Sequence, residues 1–404
     1  MENNIIPQEQ HGFVNKRSCL TNLLETLEDI TKWQDLGIPI DEIYLDFAKA
    51  FDKVPHQRLT YKLERLGING VLLAWIESFL SGRSQSVKIR NSLSDFISVT
   101  SGVPQGSVLG PLLFIAYISD LPCAISSNSK IFADDTKLYR KIQCVDDSEY
   151  LQQDLDSLAA WCKTWGMQFN TSKCMVMHFG NNNPNYLYHI NGRLLETCST
   201  HKDLGVTISD DLKPDEQIAK CVAKANSMVG MIRRTFSYVD NDIFLKTYKV
   251  FVRPILEYCQ EAWSPFLQKD IDDLENVQRR ATKIIPSLSD LSYEERLEKL
   301  GLFKLSDRRK RGDMIFLYKI INGLVDIDHH SLFTMKTGGI TRGHPFKLLD
   351  DRSNKDRRRY YYSQRVVVPW NNLPLKVVNS KSVSLFKRNY DEYILNKTKY
   401  SINL

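Results

Sequence analysis

The sequence runs to 404 residues, of which 42% are apolar, 25% charged and 10% aromatic, which excludes a disordered chain and a disulfide-stapled miniprotein. At this length two or three structural units are expected. The longest unbroken apolar run, residues 112–118, is far too short to cross a bilayer. The opening Met-Glu-Asn-Asn lacks the basic-then-apolar order of a secretory signal, so neither a membrane nor a secreted protein is expected.

In chain order, Leu20, Leu23, Leu24, Leu27 and Ile30 have helical spacing over 18–30. Residues 42–47 are short, aromatic and branched, and read as a buried strand. Helices follow over 55–67, with Gly67 as a stop, and over about 70–80; residues 86–99 read as a hairpin. Gly102-Val-Pro-Gln-Gly106 is loop chemistry before an apolar helix over 108–118. Residues 130–140 read as strand, Asp-Asp turn, strand, and 147–165 as an amphipathic helix. Short strands are expected within 168–177 and 204–208. Long helical patterns then occupy 215–235, 240–258 and 269–285, with a basic helix over 306–321.

Charge is unevenly spread. The net formal charge is +6; residues 1–270 hold 28 basic and 32 acidic side chains, and residues 271–404 hold 26 and 16. A basic tail suits a polyanionic partner. The eight cysteines are scattered without a C-x-x-C pair, which argues against a zinc ribbon or a dithiol redox site and for buried free thiols.

Two acidic positions stand out. Asp46 ends an otherwise apolar strand, where an unpaired carboxylate is expensive to bury. Asp134 and Asp135 sit at a hairpin tip after Ile131-Phe132-Ala133, where adjacent carboxylates repel and invite a multivalent cation. If the strands are neighbours, the three carboxylates converge as oxygen ligands for magnesium and suit two-metal phosphoryl transfer. The residues alone leave a second reading open: Asp favours turns, and Asp46 could cap a helix.

Three longer motifs bear on the choice. Tyr44-Leu-Asp-Phe-Ala-Lys-Ala-Phe-Asp52, Ser101-Gly-Val-Pro-Gln-Gly-Ser-Val-Leu-Gly-Pro111 and Phe132-Ala-Asp-Asp135 have the order and spacing of reverse-transcriptase palm motifs. The version resembles jockey-like non-LTR retrotransposons (LINE elements). The likeness continues through Gly166–Lys173, His201–Gly205, Val252–Tyr258, Tyr293–Gly301 and Val368–Pro374. It implies an α+β fold: a right-hand polymerase palm (an antiparallel sheet with packed helices), a helical thumb-like segment and a basic mixed C-terminal region. The corresponding boundaries are 1–210 for partial fingers and palm, 211–290 for the thumb-like segment and 291–404 for the basic region. It also implies RNA-directed DNA polymerisation with an RNA template, a DNA primer, dNTPs and two Mg2+ ions, or Mn2+ in their place, in cytoplasm or nucleus.

Residue by residue, the resemblance makes Asp46, Asp134 and Asp135 the metal carboxylates. Phe51 takes the position whose aromatic ring excludes a ribose 2′-OH, although the residue alone also reads as a core aromatic beside Ala50. Gln105 and Gly106 match the segment that packs under the incoming nucleotide. Lys173 matches the lysine that protonates the pyrophosphate leaving group; without the resemblance it is one solvated lysine among many.

Only 45 residues precede Asp46, so most of the fingers and an upstream endonuclease are expected to be missing, with Lys16 and Arg17 as either template-facing or solvated cations. Weak or absent polymerase activity follows as an expectation, and the alternative is a catalytically inert remnant that only binds nucleic acid. In the tail, Arg308-Arg-Lys-Arg311 opposes the dipole of its helix, so local stability does not explain it; it reads either as a phosphate contact or, as such runs more often are, as a solvated face. Arg357-Arg-Arg-Tyr-Tyr-Tyr362 has the ingredients of a stacking surface, but reads better as the start of a buried strand toward 366–368.

Overall fold

The structure, a computed structural model, describes residues 5–336 and 344–402, with side chains as far as 396. The chain divides into two compact units, residues 1–22 with 37–199, and residues 23–36 with 200–404. Helix α1 (Cys19–Asp35) therefore gives its first turn to one unit and the remainder to the other.

The first unit is built on a five-stranded sheet: β1 (Ile40–Leu45), β2 (Asn128–Phe132), β3 (Asp135–Lys141), β4 (Met175–Phe179) and β5 (Glu196–Thr197), in the order β5-β4-β1-β3-β2. β1 is central and antiparallel to both neighbours, and only the edge strand β5 runs parallel to its partner. All six residues of β1 are buried, although two are acidic. Burial is tolerated because each carboxylate accepts at least one buried hydrogen bond. Asp41 receives the Asn183 amide and the Tyr188 hydroxyl at 2.7 Å each and lies 2.6 Å from His178 Nδ1, and Tyr44 donates to Glu42 at 2.7 Å.

Helices α2 (His56–Arg65), α3 (Gly70–Leu80), α4 (Leu109–Tyr117) and α5 (Val145–Trp165) complete this unit. α4 is apolar almost all round, which is why it is buried rather than amphipathic. Its Leu113 and Phe114 join Ile43, Leu45, Ile131, Leu138, Leu151, Leu155 and Val176 in one core. Each fully buried aliphatic or aromatic side chain there is worth about 1.5–3 kcal/mol of transfer free energy. The hairpin expected after α3 exists as two short exposed ladders, residues 84–85 with 97–98 and 88–89 with 92–93.

The second unit opens with a hairpin, β6 (Thr200–Asp203) and β7 (Val206–Ser209), and continues as helices. They include α6 (Asp215–Thr235), α7 (Asn241–Thr247), α8 (Arg253–Glu257), α9 (Gln268–Thr282), α10 (Tyr293–Leu300), α11 (Leu305–Ile321), α12 (Tyr362–Arg365), α13 (Val367–Asn371) and α14 (Val383–Ile402). The helical run expected over 211–290 lies inside this unit, which continues through the region beyond 291.

Three local expectations need correction. The helix expected over 240–258 is interrupted by a π turn at Tyr248–Val252, because Pro254 has no N–H to complete the ladder. The strand expected around 366–368 is helical. Two of the three tyrosines before it are buried as anticipated, Tyr361 donating to the Leu24 carbonyl at 2.8 Å and Tyr362 to that of Asp313 at 3.2 Å, while Tyr360 is exposed. All eight cysteines are free, but only Cys162, Cys174 and Cys221 are buried.

Candidate active site

Asp46 follows the last residue of β1. There the chain leaves β3 and pairs with a segment just before β4: Ala48 N–H donates to the Gln168 carbonyl at 2.8 Å and Asn170 N–H to that of Asp46 at 2.7 Å. Phe47 and Phe169 stack across this bridge with centroids 4.5 Å apart. A turn closed by Lys173 N–H on the Asn170 carbonyl (2.9 Å) then returns Lys173 to Asp46, where its Nζ lies 2.8 Å from Oδ2.

The Asp-Asp hairpin meets the same place from the neighbouring strands. Leu45 is paired with Thr136 and Phe132 with Asp135, so the paired register of β1 ends one residue short of Asp46, beside the Asp-Asp turn. Burial, then the charge of Asp46, push the Asp134 carboxyl above the usual carboxylate range, against the pull of its own backbone N–H and of Lys173. Lys173 is raised above the usual lysine range, chiefly by its hydrogen bond to Asp46 and also by the charges of Asp134 and Asp135. Thus Asp46, Asp134 and Asp135 all lie within electrostatic reach of Lys173, and Asp46 within reach of Asp134. Among the described residues no three carboxylate, imidazole or thiol side chains stand grouped as a ligand set; an ammonium neutralises Asp46 instead.

The hairpin tip is strained and braced. Ala133 has φ +55°, a left-handed conformation that costs a non-glycine residue roughly 1–2 kcal/mol. Its N–H is held by the side-chain oxygen of Gln10 at 2.9 Å, which also accepts Gly12 N–H at 2.7 Å. Gly12 packs so tightly on Ala133 N that no Cβ fits. The flanking backbone continues the brace, His11 N–H donating to the Ile131 carbonyl and Ile131 N–H to that of Glu9, each at 2.8 Å. Arg17, read as either template-facing or solvated, spends its guanidinium on the carbonyls of Pro7, Gln8 and Gln10 in this segment.

Phe51 stacks on Phe114 of α4 with centroids 4.3 Å apart, so it is anchored to the core while remaining partly exposed. Gln105 and Gly106 lie on an exposed loop, and Gln105 Nε2 donates to Asp52 Oδ1 at 2.8 Å. The base of that loop is fixed at Gly102 (φ +87°), where a Cβ would come within 2.7–2.8 Å of the Phe51 and Asp52 backbone. Val103 N–H donates to the Phe51 carbonyl at 2.8 Å, and Arg83 to that of Gly102 at 2.9 Å. Gln10, Asp52 and Arg83 were not singled out from sequence; Asp52 was visible there only as the last residue of the Tyr44–Asp52 motif. In the second unit, the stretch 201–205 lies within the β6–β7 hairpin, whose turn is held by Tyr258 donating to the Leu204 carbonyl at 3.0 Å.

This sheet, with an aspartate at the end of its central strand and an Asp-Asp hairpin beside it, is the palm of a nucleic-acid polymerase. The reverse transcriptase (RNA-dependent DNA polymerase) family matches residues 1–208, just over half of the chain, and the chain belongs to that family. Within it the chain has the character of the jockey-like, non-LTR retrotransposon branch. It is 26% identical over 299 residues to the probable RNA-directed DNA polymerase from transposon BS of Drosophila melanogaster, covering 70% of this chain and 33% of that protein. It is 32% identical over 214 residues to the RNA-directed DNA polymerase from mobile element jockey of the same species, covering 50% and 22%. The chain thus spans about a third of the length of the relatives it matches. Among solved structures it is similar to telomerase from Candida albicans, with 11% identity, 70% of this chain, 53% of that one and a TM-score of 0.40.

Proposed function

We propose that this chain is an RNA-directed DNA polymerase that adds dNTPs to a primer 3′-OH on an RNA template, with Asp46, Asp134 and Asp135 as its metal carboxylates. The observation that carries this reading is the convergence of Asp46, Lys173 and Asp134 at one end of the sheet. The donor set suits a hard divalent cation: carboxylate oxygens, with Asp134 raised by burial and then by the charge of Asp46, and a largely exposed ammonium that can be displaced. When bound, a pair of such ions stabilises the attacking and leaving oxygens of an in-line displacement.

The chain's own residues do the rest. Asp46 and Asp134 hold charge at the reaction centre, and Asp135 adds a third carboxylate. Lys173, once released from Asp46, is placed to give its proton to pyrophosphate as the primer oxygen bonds to the α-phosphorus and the α–β bridge breaks. Phe51, fixed against Phe114, presents its ring edge to the sugar and disfavours a 2′-OH. Gln105 and Gly106 form the loop under the incoming base. In this reading 1–210 is palm with partial fingers, 211–290 a thumb-like segment and 291–404 a basic region.

The test is single-nucleotide incorporation on an RNA template with Mg2+ and labelled dNTP. Template-directed incorporation that is lost on Asp46→Ala and on Asp134→Ala is the expected result. Incorporation that survives both substitutions overturns the assignment.

A further inference from the structure

The 168–174 segment holds Asp46 by more than an ammonium. The Asp46 carbonyl accepts Asn170 N–H at 2.7 Å, Ala48 N–H reaches the Gln168 carbonyl at 2.8 Å, and Lys173 Nζ lies 2.8 Å from the carboxylate. Cys174 closes this segment and is 1% exposed. Its Sγ donates to the Asn170 carbonyl at 3.3 Å, and its N–H reaches the same oxygen at 3.2 Å. Lys173 N–H joins them at 2.9 Å, so one carbonyl gathers three donors and draws 173 and 174 against 170.

The sulfur also faces Asp46. Burial pushes the Cys174 thiol up, and the backbone N–H of Asp46, bonded to the sulfur, pulls against that. The thiol therefore gives its proton to Asn170 and accepts the N–H of Asp46, while Asn170 gives its own N–H to the Asp46 carbonyl. Both backbone groups of the aspartate are tied to the same turn.

We propose that Cys174 is a positioning residue for Asp46: its sulfur fixes the Asp46 N–H as Asn170 fixes the carbonyl, so that the carboxylate keeps its place when Lys173 leaves. The inference rests on the reading of Asp46 as a metal carboxylate. In that reading a cation displaces the ammonium, the ion pair is lost, and the backbone bonds remain. A thiol is at once donor and acceptor, and its burial keeps water from competing for either bond. Its 3.3 Å reach to Asn170 exceeds the roughly 2.7–2.8 Å of a hydroxyl bond, so a serine spans the same two partners less well.

The test uses the full chain with Cys174→Val, Cys174→Ser and Cys162→Val. Val fills the space and removes both bonds, and Ser keeps a donor and an acceptor. Cys162, the other buried thiol of the first unit, controls for the loss of a packed sulfur. Exchange of the Asp46 amide in the metal-free chain needs no activity, and is expected to quicken about tenfold in Cys174→Val as the local bond is lost. In Cys162→Val it is expected to stay at the parent rate. In single-nucleotide incorporation, Cys174→Val is expected to lose about tenfold in kcat with the dNTP KM within about twofold, the mark of a displaced reacting group. Cys174→Ser is expected to recover most of that loss. Where Cys174→Val does not fold, Cys174→Ala removes the same bonds with a smaller side chain and carries both readouts. Equal Asp46 exchange in parent and variant overturns the proposal, as does a kcat loss that Cys162→Val shares or that Cys174→Ser does not reduce. A parent chain that incorporates nothing counts against the polymerase reading instead, and the exchange rate still decides whether the sulfur holds Asp46.

Discussion

Gln10 and Ala133 stand 123 positions apart, yet the Gln10 side-chain oxygen takes the Ala133 N–H at 2.9 Å, one residue before Asp134. The same oxygen takes Gly12 N–H, and the Gln10 side chain is almost wholly buried. It fixes the left-handed turn that aims the Asp pair, so its removal strands two buried donors.

Gln10→Ala is therefore expected to lower unfolding free energy by about 2–4 kcal/mol, one buried donor costing about 1–3. Incorporation is expected to fall through kcat, with the KM for dNTP little changed. Gln10→Glu keeps an acceptor at the same reach and is expected to restore most of the stability. Denaturant melts and steady-state kinetics of the two variants decide the matter; equal losses in both would mean that the brace is not what Gln10 supplies.

Asp134 makes a prediction of opposite sign for stability and activity. Its carboxyl is raised by burial and then by Asp46, so the folded chain disfavours the ionised form. Stability is therefore highest below the unfolded-state pKa of 3.8 and is lost as pH rises toward the raised value. At neutral pH the ionised Asp134 is a net cost that a divalent cation would relieve. Asp134→Asn is expected to raise the melting temperature of the metal-free chain while abolishing incorporation. Added Mg2+ should stabilise the parent chain and leave the variant unmoved. Thermal melts with and without Mg2+ read this directly, and a variant less stable than its parent at pH 7 contradicts it.

Much of the fold was legible because its signals are local. An apolar strand ending in Asp46, an Asp-Asp turn and helical spacing over 215–235 each show within a short window, and the helix has those bounds. The bracing of the hairpin was not legible, since Gln10 reaches Ala133 only after the 9–11 segment pairs with Ile131. The Asp46–Lys173 ion pair likewise needs the bridge between 46–48 and 168–170. The basic tail misled in part: Arg308, Arg311, Arg358 and Arg365 answer Glu257, Asp391, Glu28 and Asp313, each 50 or more positions away. Net charge per segment records cations without recording which of them are already spoken for.

Lys62 carries a pH-dependent stability of its own. Its ammonium lies 3.8, 4.7 and 4.9 Å from the ring centroids of Trp165, Trp161 and Tyr117, and donates to the Tyr117 carbonyl at 2.6 Å and to Asp120 at 2.5 Å. Burial outweighs Asp120 and lowers its pKa to about 8 from 10.5. Between those values the unfolded chain holds more protons, so stability is expected to rise with pH, by at most about 1 kcal/mol per unit. Lys62→Met should flatten that rise between pH 8 and 10. The difference in urea midpoint between parent and Lys62→Met across this window measures it, because the thiols of Cys162, Cys174 and Cys221, pushed up by burial, make both chains less stable as pH rises; a difference that does not change with pH would refute the assignment.

On the proposed assignment Phe51 is the residue that discriminates the sugar, and its ring is stacked on Phe114 at 4.3 Å. A side chain held by stacking cannot swing aside to admit an extra hydroxyl, whereas a smaller one leaves space for it. Phe51→Val is expected to narrow the preference for dNTP over rNTP by about 10–200-fold, the 1–3 kcal/mol that a shape contact can supply. Some of the loss will show as stability, since the stacked pair is worth roughly 0.5–1.5 kcal/mol beyond its buried area. Phe114→Leu separates the two effects. It removes the support while leaving the Phe51 ring, and should relax sugar selection less than Phe51→Val at a comparable loss of stability. Competition between dNTP and rNTP in single incorporations gives the ratio for each variant, and an unchanged ratio in Phe51→Val would remove this residue from sugar selection.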